Sequence, residues 1–179
     1  MLVSIVIPCY NSEKTIGKVV ELAVEEFRKL EGYECEFVLV NDYSRDDTWG
    51  SVHALTQKYP NVKGINLAKN FGQHNAIMAG LNYTEGDLII GMDDDMQNHP
   101  SQIPQFLEKI EEGYDIVFGV FKQRQFSWFK NLTGAVSRFL LWHLLDRPKH
   151  IQMSSFWCCR RYVRDEVVKY DGYNTFLQV

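Results

Sequence analysis

The chain has 179 residues, 45% of them hydrophobic and 23% charged, with a net charge of −4. That size and apolar content suit one globular domain with a sizeable core and exclude a disordered or low-complexity chain. No apolar run approaches the ~18–20 residues that a membrane-spanning helix needs, so the chain is expected to be soluble or peripheral.

Residues 3–7 form a short β-branched run closed by Pro8. It lacks a basic leader and a cleavage site, so it predicts a first strand and not a signal peptide. Residues 13–30 place Ile16, Val19, Val20, Ala23, Val24, Phe27 and Leu30 at helical spacing, with Ser12 as the expected N-cap. Residues 36–41 predict a second strand. Asp46 or Asp47 suits the cap of a helix to about residue 59, broken by Pro60 and Asn61. A third strand follows at 62–67. Asn70-Phe71-Gly72 then turns into a helix over 73–83, and Glu85-Gly86 turns into a fourth strand over 87–92. Asp93-Asp94-Asp95 follows directly. Pro100 and Ser101 open a helix to about 112, Gly113 ends it, and 115–119 predicts a fifth strand.

From about Phe126 the pattern changes. Trp128, Phe129, Leu132, Val136, Phe139, Leu140, Trp142, His143 and Leu144 could line one broad helical face flanked by Lys130 and Arg138. Residues 155–160 predict a strand and 163–170 a helix. Charge changes here as well. Residues 1–120 hold 9 Lys/Arg against 19 Asp/Glu, whereas 121–170 hold 10 against 3. A basic second part suits a phosphate-bearing partner or an anionic membrane surface. Nucleic acid is disfavoured, because the aromatics there follow helical and not stacking spacing. Cys9, Cys35, Cys158 and Cys159 form no C-x-x-C pair and are expected as buried, reduced thiols.

Strands alternating with helices imply an α/β fold, with a mostly parallel sheet covered on both faces. Such sheets bind ligands at the carboxyl ends of their strands, near a switch in strand order. The notable polar residues fall there: Asn11 after strand one, Asp42 after strand two, Asn70 after strand three and the aspartate triplet after strand four.

Three adjacent carboxylates repel one another unless a cation neutralises them. Mg²⁺ is usually held by one or two carboxylates plus substrate phosphates. A metal there would bridge a diphosphate and take up charge on a leaving group. Asp93 and Asp95 sit at alternate positions, and Gln97 lies where it could support ligation. A solvated acidic turn is the plainer alternative. Asp42 can accept from a base N–H or a ribose hydroxyl, or else cap residues 46–48. A strand-end phosphoacceptor is also conceivable, but it leaves the triplet unexplained. Tyr10 could pack on a base, and Asn11 could order its loop. Asn70-x-Gly72 supplies free N–H groups at a helix start. No G-x-G-x-x-G, P-loop, zinc pattern or G-x-S-x-G occurs, which disfavours dinucleotide oxidoreductases, P-loop enzymes and serine nucleophiles.

Four segments in order resemble the motifs of family 2 glycosyltransferases. They are Val3-Ser4-Ile5-Val6-Ile7-Pro8-Cys9-Tyr10-Asn11, Val40-Asn41-Asp42-Tyr43-Ser44-Arg45-Asp46-Asp47-Thr48, Asn70-Phe71-Gly72, and Gly86-Asp87-Leu88-Ile89-Ile90-Gly91-Met92-Asp93-Asp94-Asp95-Met96-Gln97. The M-D-x-D-x-Q form and the later basic segment resemble the dolichol-phosphate mannose synthase and bacterial polyprenyl-phosphate glycosyltransferase branch. The resemblance implies a single GT-A catalytic domain over 1–179. Residues 1–119 would bind the nucleotide sugar, and 120–179 would form the acceptor side. It also implies that the chain is truncated ahead of membrane helices, so the whole protein would sit at the cytoplasmic face of a membrane. The donor site would comprise Pro8, Tyr10, Asn11, Asp42, Asn70, Gly72, Asp93 and Asp94. Asp93 and Asp95 would hold Mg²⁺ or Mn²⁺ with help from Gln97. Lys122, Arg124, Lys130 and Arg138 would meet the lipid phosphate, with Arg124 counted beside Asp93 and Asp95 in catalysis. Asn41, Tyr43, Phe121 and the Ser154-Ser155-Phe156 run depart from the branch's usual Asp, Gly, Arg and Gly-Asp-Phe or Asp-x-x-Phe.

The expected reaction is inverting transfer from a nucleotide-diphosphate sugar, UDP-linked by default, to a polyprenyl phosphate. A phosphate oxygen is anionic near neutral pH and needs little help from a base. The helix over about 127–145 would then lie in the membrane interface. One alternative acceptor is a saccharide hydroxyl in cell-surface polysaccharide synthesis, which needs a base such as Asp165 or Glu166. Another reading is a non-catalytic nucleotide- or metal-binding module.

Overall fold

The computed structural model describes residues 1–119 and 154–170. Six strands make one sheet: β1 (Leu2–Cys9), β2 (Glu34–Asn41), β3 (Val62–Asn66), β4 (Leu88–Gly91), β5 (Ile116–Phe118) and β6 (Trp157–Arg160), in the order β3-β2-β1-β4-β6-β5. β1 pairs in parallel with β2 and β4, and β2 with β3. β6 runs antiparallel between β4 and β5. The expected mixed α/β architecture with a mostly parallel sheet is present. The order of the last two strands could not be read along the chain, because β6 comes from after residue 153 and inserts ahead of β5.

The helices are α1 (Ile16–Phe27), α2 (Thr48–Lys58), α3 (Gln73–Leu81), α4 (Ile103–Glu111) and α5 (Arg161–Val167), with a 3-10 turn at Pro100–Gln102. Side chains alternate across each strand, so the sheet carries two apolar faces. Val3, Ile5, Ile7, Phe37, Leu39 and Ile90 point to one side, where Ile16, Val20, Phe27, Val52, Ile103 and Phe106 of α1, α2 and α4 pack on them. Val6, Val38, Val40 and Ile89 point to the other, under Ala76, Ile77 and Leu81 of α3 and beside Val163 and Val167 of α5. Adjacent Cys158 and Cys159 fall on opposite faces, as strand geometry requires. All four cysteines are free thiols, and burial pushes Cys35 up to about 11 and Cys159 to about 12.

Two local expectations are corrected, for Ser12 and Asp42, and the choice between Asp46 and Asp47 is resolved. α1 begins at Ile16 and not at 13, and Thr15, not Ser12, is its N-cap. The Ser12 N–H donates to Thr48 Oγ1 at 2.8 Å, and its carbonyl accepts from Thr15 and Ile16, so Ser12 is spent tying two loops together. Asp47 occupies the N-cap position of α2 without a side-chain capping bond. The neighbouring Asp46 instead accepts from Thr48 N at 3.2 Å. Asp42 does not cap residues 46–48, because its carboxylate is engaged elsewhere, as described next.

Candidate active site

The chain runs outward from β1 through β2 to β3, then returns to lay β4 on the other side of β1. The strand order therefore switches between β1 and β4. Loops leaving these two strands must diverge, and a crevice opens at their carboxyl ends. Pro8, Cys9, Tyr10, Asp42, Asn70, Gly72, Gln73, Asp93, Asp94 and Asp95 line a polar groove there of about 370 Å³. That volume falls within the roughly 300–1,000 Å³ of small-molecule sites.

Asp42 follows β2 and is 3% exposed. Its two oxygens accept the backbone N–H groups of Phe71 at 2.7 Å and Gly72 at 2.8 Å. The turn into α3 is thereby fixed against the end of β2. Gly72 has φ +87°, a conformation that a side chain would strain. Asn70 Oδ1 also accepts from Gly72 N at 3.2 Å. The turn stays closed because both of its leading N–H groups are spoken for.

The β1 and β4 loops are joined directly, since Tyr10 N donates to Asp94 Oδ2 at 3.0 Å. Asp93 Oδ1 accepts from Gln73 Nε2 at 2.7 Å, and Asp93 Oδ2 accepts from Asn98 Nδ2 at 2.9 Å and from Ser155 Oγ. Asp95 is exposed, and its Oδ1 accepts from Gln97 N at 2.9 Å. Burial raises the Asp93 carboxyl above its ordinary value, and the charges of Asp95 and Asp94 add to this against the Ser155 and Asn98 hydrogen bonds. Asp94 is raised mainly by burial too, with Asp95 adding to it. A cation would relieve both effects. Among the described residues no three His, Cys, Asp or Glu side chains form a complete metal site. The triplet suits a cation whose remaining ligands come from a bound phosphate.

The structure brings together Pro8, Tyr10, Asp42, Asn70, Gly72, Asp93, Asp94 and Asp95. Asn11 and Gln97 do not line the groove. Asn11, at φ 54°, accepts Arg45 N on its Oδ1 at 2.9 Å and so orders the loops behind it. Lys122, Arg124, Lys130 and Arg138 lie outside the described residues. The sequence reading missed the three side chains that donate to Asp93, of which Gln73 also lines the groove. Gln73 was signalled only as the first residue after Asn-x-Gly. Asn98 carried no signal. Ser155 stood out only as part of the Ser154-Ser155-Phe156 run that departs from the branch's pattern. A second, smaller groove is apolar, with Ile77, Leu81, Phe118, Trp157 and Val163 on its wall, and it shares Gln73 with the polar one.

The sequence model described as glycosyl transferase family 2 matches residues 4–168. The chain is 34% identical to the undecaprenyl-phosphate 4-deoxy-4-formamido-L-arabinose transferase of Proteus mirabilis (strain HI4320), over 99% of this chain and 54% of that protein. It is 39% identical to the protein of the same name from Shewanella sediminis (strain HAW-EB3), over 93% of this chain and 49% of that one. The chain thus spans about half the length of the curated relatives it matches. Among solved structures it is similar to glucosyl-3-phosphoglycerate synthase from Mycobacterium tuberculosis, crystallised with Mn²⁺, UDP-glucose and phosphoglyceric acid. There the TM-score is 0.66 at 21% identity, over 90% of this chain and 57% of that one. That likeness is one of fold.

Proposed function

The chain belongs to glycosyl transferase family 2, and from that premise we propose that it transfers a sugar, with inversion, from a nucleotide-diphosphate sugar to a polyprenyl phosphate. The observation that carries this reading is the convergence of Asp42, the 70–72 turn and Asp93 to Asp95 on one groove at the strand-order switch. The relatives named as undecaprenyl-phosphate sugar transferases support the acceptor class. The donor is taken as UDP-linked, and the cation as Mg²⁺ or Mn²⁺. The similar fold crystallised with Mn²⁺ and UDP-glucose supports both choices.

In this reading the turn held by Asp42 borders the nucleoside, and Tyr10, 45% exposed, offers its ring to the base. Asp95, the most open of the three carboxylates, and Asp93 would hold the cation, whose bound charge would offset the charge gathering on the leaving diphosphate. The acceptor phosphate arrives already anionic, so no side chain has to remove its proton. A hydroxyl acceptor would need such a base. Asp165 and Glu166, the carboxylates expected for that role, are ion-paired with Arg164 at 2.9 Å and Lys169 at 2.7 Å and do not line the polar groove. This favours the phosphate acceptor. The basic 121–170 segment suits the same partner and an anionic membrane surface, and it supports a location of the whole protein at the membrane. No helix among the described residues is long and apolar enough to cross one.

The test is incubation of the intact protein with Mn²⁺, undecaprenyl phosphate and labelled nucleotide sugars, including one bearing the sugar in the relatives' name. The expected outcome is a labelled lipid that Asp95→Ala abolishes. Labelled soluble oligosaccharide without lipid product would establish the hydroxyl-acceptor alternative. Nucleotide binding that is indifferent to both metal and Asp95→Ala would point to a non-catalytic module.

A further inference from the structure

Three neutral donors from separate parts of the chain converge on Asp93. Gln73, the first residue of α3, takes Oδ1 at 2.7 Å, while Asn98 at 2.9 Å and Ser155 take Oδ2. An ionised carboxylate offers about four acceptor positions, two on each oxygen. Oδ2 is therefore full, and Oδ1 has one position left. The orientation of Asn98 is not free to vary. It is 1% exposed, and its Oδ1 has no hydrogen-bond partner. Flipping the amide would set that oxygen against the carboxylate. Ser155 is equally constrained. Its neighbour Ser154 donates to Phe156 O at 2.8 Å and accepts from Phe156 N at 3.2 Å. Phe156 is fully buried, edge-on to Phe106 at 4.5 Å between ring centres. The Ser155 hydroxyl is thus presented by a segment anchored at Phe156, 62 residues away from Asp93 in sequence.

We propose that Ser155 is a positioning residue: with Asn98 it fills Asp93 Oδ2 and leaves Oδ1 as the one atom that Asp93 presents to a metal-bound nucleoside diphosphate. The proposal rests on the reading of the groove as a metal–nucleotide site. Groups behind a metal-binding carboxylate restrict its rotation, and their loss typically costs about 10–100-fold in metal affinity.

The experiment is calorimetry on the intact protein with UDP and GDP, each with and without Mn²⁺, for wild type, Ser155→Ala and Ser155→Thr. The expected result is metal-dependent affinity about 10-fold weaker in Ser155→Ala, metal-free affinity unchanged within about twofold, and recovery in Ser155→Thr, which keeps the hydroxyl. Wild-type affinity in Ser155→Ala would overturn the proposal. So would a Ser155→Thr variant as weak as the alanine one, or a loss that is equal with and without metal. If the expected pattern holds but the wild type makes no lipid product, the acceptor reading fails and the role of Ser155 stands. If the wild type binds neither nucleotide in a metal-dependent way, both fall.

Discussion

At the scale of single residues, the main distinction in the groove is between carboxylates that bind the protein and carboxylates left for a ligand. Asp42 belongs to the first kind, because both of its oxygens are taken by N–H groups of the turn at 71–72. Asp95 belongs to the second, exposed and tied by one backbone bond. Asp93 is mixed. Replacement of Asp42 by Asn substitutes an amide donor for one acceptor and sets that donor against one of the two N–H groups of the turn. Such a loss costs about 1–3 kcal/mol. Asp42→Asn is expected to lower the melting temperature and to weaken nucleotide binding at least about tenfold, since the turn it holds borders the groove. Calorimetry beside thermal denaturation checks this, and full affinity in a destabilised variant would separate the turn from nucleotide binding.

At the scale of elements, the site depends on how closely β4 and β6 approach. Gly91 ends β4, two residues before Asp93, and lies under the Trp157 indole of β6, with which it is paired. A Cβ built on Gly91 would overlap that ring. The strand therefore ends in glycine because its neighbour places a large flat side chain across it. Overpacking of this kind costs about 1–3 kcal/mol. Gly91→Ala should destabilise the fold by that amount and, by shifting the strand end, displace Asp93 from its three donors. Denaturant melts measure the first effect and metal-dependent nucleotide affinity the second. A variant with native stability would show that Trp157 can move aside without consequence.

At the scale of the whole molecule, the two ends of the sheet are divided between stability and chemistry. The carboxyl ends of β1, β2 and β4 hold the groove. Near their amino ends lies a buried polar knot. Ser4 Oγ donates to Glu36 Oε1 at 2.5 Å, Glu85 N donates to the same oxygen at 2.6 Å, Gly86 N donates to Ser4 Oγ at 2.7 Å, and Lys63 pairs with Glu36 Oε2 at 3.0 Å. Burial by itself raises the Glu36 carboxyl, but the bonds from Ser4, Glu85 and Lys63 outweigh it and hold the group below its ordinary value. A carboxyl with a lower pKa folded than unfolded stabilises the protein above its unfolded value, near ~4.3 for Glu, and this contribution fades as pH falls through the folded value. Glu36→Gln should therefore be less stable than wild type at pH 7. Its stability should also fall less steeply as the pH drops from about 5 to 3. Parallel acid-denaturation curves for the two proteins would contradict that assignment.

The order of strands and helices up to residue 119, both faces of the core, and the gathering of polar residues at strand ends were legible in the sequence. Each follows from local periodicity and from residues adjacent to a break in it, as with Ile16, Val19, Val20 and Ala23 or the triplet after β4. The place of β6 inside the sheet was decided only by the tertiary structure, because pairing partners 70 residues apart, such as Ile89 and Cys159, leave no periodic trace in either segment. The same holds for the donors to Asp93. Gln73, Asn98 and Ser155 are unremarkable polar residues in their own stretches of chain, and they acquire a joint role only because the start of α3 and the segment at Ser155 meet the loop that carries Asp93 and Asn98.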